Sequence, residues 1–396
     1  MKQAVQEKLQ KSISDDKDFF MKKIISAMVA GMMVCCAVSA QSIKIANTFG
    51  GDADSTGGSD LFTFQNQKND DGSYKNEFGN ETRVSDRIQM DASDKFFDAR
   101  VRMEFATTKL NGKESTIRLR GYGRFKPIEQ FQLIAGNDFS TKVAVDAGYL
   151  AASDDNPKYA RILQSGFGAI SNWKFGNEGN MSLKLAGGLR GTDNSFLDKD
   201  SLGLDAGLSF GMKDVFSIGA TFQNTTSNSP SIAAFAGLNA VENLTLNVAY
   251  IYNDTDTDYI TKTAKNVVSL TAGYNFKDAG LFIGADVISA LGNEYLEKGE
   301  TKTYEKAGAA LTPFLTKLNV TYKATDNITV GTKAKIAMML GDSDSVKTEL
   351  YPNVTYKLPN KMGSLTTGVR MNLNNNGLSK FAIPFNWKCT LAEIKN

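Results

Sequence analysis

Along most of the chain, side chains alternate between apolar and polar one residue at a time, in segments of roughly 9 to 11 residues. In STIRLRGYGRF (residues 115–125), Ile117, Leu119 and Phe125 alternate with Arg118, Arg120 and Arg124. A period of two belongs to β-strands, whose side chains point to opposite faces in turn. A helix would scatter the same arginines around its circumference. FFDARVRMEF (96–105) sets Phe97, Ala99, Val101, Met103 and Phe105 against Asp98, Arg100, Arg102 and Glu104. LTLNVAYIY (244–252) and MSLKLAGGLR (181–190) carry the same signature. About 9 to 11 residues is the length a tilted strand needs to cross a bilayer. After residue 40 no apolar run reaches the roughly 20 residues that a spanning helix takes.

The connections between these segments alternate in length. Tight ones are expected at Asp91–Lys95, Lys126–Glu129, Gly176–Asn180, Gly211–Asp214, Val241–Asn243, Lys277–Ala279, Ala324–Asn327 and Pro359–Gly363. Longer polar ones lie between them, including 191–200, 253–265 and 291–302. This rhythm predicts an all-β fold, a transmembrane antiparallel up-and-down barrel. Eight tight turns imply about sixteen strands. A first strand near Ser42–Thr48 and a last near Ser379–Thr390 raise the count to about eighteen, within a range of about 14 to 18. An even number puts both ends of the chain on the side of the short turns.

Composition narrows what the chain can do. There is no histidine, which removes serine and cysteine hydrolases with a His base and His-ligated metal sites. Carboxylate chemistry would need a matched acidic pair, and none stands out, so the expectation is a protein that is not an enzyme and carries no cofactor or metal. Lys22 and Lys23 precede an apolar run from Ile24 to Val38, followed by Val38-Ser39-Ala40, which predicts a signal peptide over 21–40 with cleavage between Ala40 and Gln41. Residues 1–20 are then an upstream extension, and 41–396 a single barrel domain. A lipid attached to Cys35 or Cys36 is the rival reading, although no small residue precedes Cys35 in a convincing lipidation motif. Cleavage would remove six lysines and four acidic residues from 45 basic and 43 acidic, leaving equal numbers, so charge points to no nucleic-acid partner. Cys389 would stand alone, without an intrachain disulfide.

Aromatics cluster just before the short turns: Trp173 and Phe175, Phe210, Tyr274 and Phe276, Tyr322, and Tyr356. Rings at one level of successive strands make a girdle at a membrane interface. A secreted β-sandwich would bury its apolar faces instead. Only seven prolines and the lack of any domain linker speak against that.

The alternation also nominates lumen-lining residues. Strands near 82–90, 96–107 and 115–125 should be wall neighbours. Their inward sets are Arg83 and Arg87; then Asp98, Arg100, Arg102 and Glu104; then Arg118, Arg120, Tyr122 and Arg124. A charge facing lipid costs about 2–4 kcal/mol near the midplane, so these arginines belong inside. Two readings stay open: a charged constriction favouring anions, or a salt-bridged wall without selectivity of its own. Ala186, Gly188, Ala206 and Gly219 are expected to be small inward positions. Asp254, Asp256 and Asp258 resemble the start of a calcium loop, but Tyr259 and Lys265 occupy positions where an EF-hand needs Gly and Glu, so solvated loops are the preferred account. The segment 138–165 could fold into a pore or lie outside it.

The signal MKKIISAMVAGMMVCCAVSA, the turn GNEGN and the strand-end aromatics of GYNFKD and VTYKLP resemble those of bacterial outer-membrane β-barrels of the porin type, including the porin-like barrels of spirochaetes. The resemblance covers about residues 41 to 391. It implies the outer membrane of a diderm bacterium, passive diffusion of small hydrophilic solutes, contact with outer-membrane lipid, insertion by the outer-membrane assembly machinery, and a homotrimer. The alternative is a surface-exposed adhesin whose barrel displays loops. One departure stands out: such barrels usually end on an aromatic, whereas FAIPFNWKCT is followed here by LAEIKN.

Overall fold

The computed structural model describes residues 42–49, 59–68, 74–78, 84–107, 115–137, 141–142, 161–162, 166–190, 203–225, 228–254, 263–297, 300–359 and 362–395. The expected signal peptide, the Ala40–Gln41 cleavage site, Arg83 and most of 138–165 lie outside them. Among the described residues no helix is long and apolar enough to cross a membrane.

Among the described residues eighteen staves form one antiparallel wall. They are β1 (Ser42–Phe49), β2 (Val84–Ser93), β3 (Phe97–Thr107), β4 (Ser115–Ile128), β5 (Phe131–Gly136), β6 (Gly166–Phe175), β7 (Met181–Arg190), β8 (Gly203–Met212) and β9 (Phe216–Thr225). The second half comprises β10 (Asn228–Leu238), β11 (Leu244–Asp254), β12 (Thr263–Phe276), β13 (Leu281–Ala290), β14 (Thr312–Lys323), β15 (Ile328–Leu340), β16 (Asp342–Lys357), β17 (Ser364–Gly368 continued by Arg370–Asn374) and β18 (Gly377–Lys395). Each pairs with its sequence neighbours, and β1 pairs with both β2 and β18, which closes the barrel. Closure removes the two end edges that an open sheet would present.

Seven of the eight expected tight turns lie wholly within the described residues and occur there, and at the eighth Met362 N–H donates to the Pro359 carbonyl at 3.1 Å. The Asp94 carboxylate accepts the amides of Phe96 and Phe97 at 2.6 and 2.9 Å. Thr325 Oγ1 accepts those of Asn327 and Ile328 at 3.3 and 3.0 Å. Asn243 adopts φ 64°, a left-handed conformation its short polar side chain tolerates.

The opposite end departs from uniformly long loops. Gly341 and Asn375–Asn376 make tight connections there, and Thr225 pairs directly with Asn228. Residues 291–302, expected as a loop, contain a hairpin of Glu294–Glu297 with Glu300–Thr303, followed by the short pair Glu305–Lys306 and Ala309–Ala310. Tyr295 stacks on Tyr304 at 4.4 Å, and both are buried with Leu311 against Met339, a small core that the polar sequence around it concealed. Lys306 anchors this extension to Asp342 at 2.8 Å. A second hairpin, Ser59–Lys68 with Tyr74–Phe78, pairs with β18 between Lys380 and Phe385. The last strand also runs past Thr390: Ala392–Lys395 pair with Ser42–Ile45 across a bulge at Ile45/Ala46. LAEIK therefore belongs to the closing seam.

The two faces of the wall differ in the inverse sense from a soluble protein. Ile117 is 71% exposed, and Leu119, Phe125, Phe167, Leu189, Leu208, Ile218, Val248, Leu270 and Leu318 are exposed on the same face. On the other face Asp205, Ser209, Ser217, Thr221, Asn247, Thr271 and Asp286 are buried. A closed wall crowds side chains on its concave side and splays them on its convex side, so the polar face is the inner one. Trp173, Phe175, Tyr274, Phe276, Tyr322 and Tyr356 stand exposed on the outside near the short turns, with Tyr274 edge-on to Phe276 at 4.6 Å. Ala206 corrects the sequence expectation. It lies on the outer face between exposed Leu204 and Leu208, because its partner Gly187 is outward, whereas Ala186, Gly188 and Gly219 are inward.

Candidate functional site

Strict register across β2, β3 and β4 assembles the predicted charged residues. Cross-strand partners are Arg87 with Glu104, Gln89 with Arg102, Asp91 with Arg100, and Ser93 with Asp98. On the other side Asp98 faces Arg124, Arg100 faces Tyr122, Arg102 faces Arg120, and Glu104 faces Arg118. Since register fixes which side chains meet, the alternation in sequence becomes a two-dimensional array of charge.

Part of the array is neutralised. Glu104, only 2% exposed, takes Arg87 at 3.4 Å. Arg100 Nε donates to Asp91 at 2.6 Å, and Asp91 also accepts from Gln89 at 2.6 Å. Asp98 holds Lys126 at 2.7 Å and Arg124 at 3.6 Å. The Tyr122 ring lies between the guanidinium groups of Arg100 (5.7 Å) and Arg124 (5.4 Å), and its π face attracts both.

The remaining arginines meet different surroundings. Arg102 donates to the neutral Gln89 oxygen at 3.0 and 3.2 Å. Glu104 turns to Arg87, so among the described residues no carboxylate lies within ion-pair distance of Arg118 or Arg120. Arg120 is moreover directly opposite Arg102, a like-charge pairing that costs stability in a sheet. Sequence reasoning missed Gln89, Asp91 and Lys126, since two of them sit at or inside expected turns and the third is uncharged.

A second basic region went unnoticed. Register runs in one inner-face row from Ser217 through Gly237, Asn247, Thr271, Asp286, Lys317, Lys335, Glu349 and Asn372 to Lys380. Ser217 follows a short turn, while Lys380 lies near the opposite end, so strand tilt makes the row climb the wall. Thr271 donates to Asp286 at 2.7 Å. Lys333 and Lys347 extend the basic character beside this row. The signal was available: Lys317, Asn319, Thr321 and Lys323, then Lys333 and Lys335, alternate as the arginines do.

Between these sectors the inner face is small and apolar. Ala233, Phe235, Ala249, Ile251, Val267 and Ala290 belong to one buried cluster. The Phe235 ring covers Gly219 so closely that a Cβ there would meet it at 2.5 Å. Among the described residues no three His, Cys, Asp or Glu side chains come together as metal ligands would.

Comparison with solved structures places this geometry. The chain superposes on Acinetobacter baumannii OccAB3 with a TM-score of 0.53 and 10% identity, over 90% of this chain and 100% of that one. OccAB4 of the same organism gives 0.53 and 8% identity, covering 90% and 99%. Pseudomonas aeruginosa OpdL gives 0.51 and 12%, covering 90% and 100%. The fold is a bacterial porin-type barrel. No protein-family model and no curated protein sequence matches the chain. The likeness therefore lies in the architecture of the wall, with the inner-face chemistry read from this chain's own residues.

Proposed function

We infer that the chain is an outer-membrane channel through which small hydrophilic solutes and ions diffuse passively, with an inner wall that favours anions. What supports the reading is a wall closed by eighteen staves among the described residues, whose enclosed face carries Arg118 and Arg120 with no described carboxylate within ion-pair distance. Barrels of 16 to 18 strands leave an aqueous interior. Side chains there are solvated, and a guanidinium that is not spent on a carboxylate of the wall can act on a passing anion. The exposed apolar outer face is suited to lipid, and its aromatic rim to the interface. The role calls for no catalytic group. On the same reading the chain is exported by its signal peptide, inserted by the outer-membrane assembly machinery and assembled as a homotrimer.

The test is conductance. Purified protein in planar bilayers should give stepwise ion currents, and reversal potentials in a KCl gradient should show chloride preferred over potassium. A folded protein that never conducts overturns the channel; a cation-preferring current overturns the arginine wall alone.

A further inference from the structure

The inner face of β15 to β18 holds a hollow of about 290 Å³, with Lys335, Lys347, Glu349, Asn372, Asn374 and Ser379 on its lining. At about 30 Å³ per water, it has room for roughly ten waters or one small solute. Two of its charges, Lys347 and Glu349, are not used up by the wall. Lys347 and Glu349 lie two residues apart on one face of β16, and neither makes an ion pair or side-chain hydrogen bond among the described residues. Glu349 has Lys335 directly across on β15 and Asn372 directly across on β17, yet no ion pair bridges Lys335 and Glu349. The Asn372 side-chain oxygen is buried without a hydrogen-bond donor, an arrangement that costs free energy unless something supplies one. Ser379 is tied back to the Asn372 carbonyl at 2.8 Å, which leaves the amide side chain as the available group there.

These groups sort into two corners. The Glu349 carboxylate and the Asn372 oxygen only accept hydrogen bonds, so together they suit an ammonium. The Lys347 ammonium only donates and suits a carboxylate. An anion alone would leave Glu349 repelling it, and a cation alone would meet the lysines. We propose that this hollow is a subsite for small zwitterions carrying both an ammonium and a carboxylate, as α-amino acids do. It deepens the channel reading above and rests on it. The exposed Lys347 keeps binding weak, as a site on a permeation path requires, since a solute must leave as readily as it enters.

The experiment compares alanine, lactate, alaninamide and lactamide, which share one skeleton as zwitterion, anion, cation and neutral molecule. Uptake of each radiolabelled solute into proteoliposomes is measured at low concentration. Alanine should enter about threefold faster than lactamide and should saturate. Lys347→Gln and Glu349→Gln should each bring alanine down to the lactamide rate without changing lactamide uptake, which carries no charge for either residue to act on. Equal alanine and lactamide rates in the unaltered protein overturn the subsite, whether or not the variants fold. So does an alanine excess that survives either substitution. Loss of KCl conductance in the unaltered protein is a different result, because it removes the channel itself.

Discussion

The arginine sector of β2–β4 and the apolar sector of β10–β12 occupy the same inner face and follow the same period of two, yet they are held by opposite means. In the first, wide charged side chains satisfy one another in part, leaving Arg102 opposite Arg120. In the second, Phe235, Ile251 and Val267 pack to within a few per cent of full burial over glycine and alanine. The difference teaches where stability and selectivity come from. The packed sector contributes cohesion without charge, and the arginine sector tolerates a like-charge contact that a wall selected only for cohesion would lack.

Phe235→Ala should cost the most, about 3–5 kcal/mol of unfolding free energy by urea titration in lipid vesicles, because the ring leaves a cavity over Gly219. Glu104→Ala should cost about 3 kcal/mol in the same assay by taking from the enclosed Arg87 the carboxylate that it meets at 3.4 Å. If both were neutral, the contrast between a packed and a charged sector would have no energetic content. Arg118→Gln and Arg120→Gln should act on permeation instead. Each should lower the chloride-over-potassium ratio roughly sevenfold at low salt, since one charge acting through water at roughly 7 Å is worth about 0.6 kcal/mol to chloride and the opposite to potassium. The change should fade at 1 M salt, where the screening length is about 3 Å. Arg120→Gln should also leave the barrel as stable or about 0.5 kcal/mol more stable, since it removes the charge opposite Arg102. A large destabilisation would show that Arg120 is structural.

The smallest effect concerns the external hairpin. The hydrogen bond from Lys306 holds the Asp342 carboxyl below its ordinary value, and the same bond raises the Lys306 ammonium. A depressed carboxyl stabilises above its unfolded pKa of about 4 and stops doing so as pH falls through the lowered folded value. A raised ammonium stabilises below about 10.4 and stops as pH rises through its raised value. The tie is therefore complete between about pH 4 and 10.4. Protection against hydrogen exchange at residues 294–297 and 300–311, taken relative to the unstructured rate at each pH, should fall below that window and stay level within it.

Much of the wall was legible because two signals agree. Alternation places residues such as Ile117 and Arg118 on opposite faces, and polar turns such as Lys277–Ala279 set where strands reverse. Together they predict about eighteen strands and the seam between the first and last. Ala206 was misplaced because a strand of small residues, GLDAGLSFGM, gives alternation little contrast. The hairpin at 294–303 was missed because its two tyrosines are too few to register as a periodic face. Ion pairs were beyond sequence for another reason: Glu104 has an arginine on either side, and only geometry selects Arg87 over Arg118.

The seam between β1 and β18 has a kinetic consequence. It joins Ser42 to Lys395, the most distant partners in the wall, whereas nearly every other stave meets a neighbour a few residues away. Contacts between remote segments form late because a long loop must close first. Until then an almost complete sheet carries two unsatisfied edges, each a template for pairing with another chain. Nucleation at the hairpins and a single late zippering step, speeded by anything that shields those edges, is the order of events that this connectivity imposes.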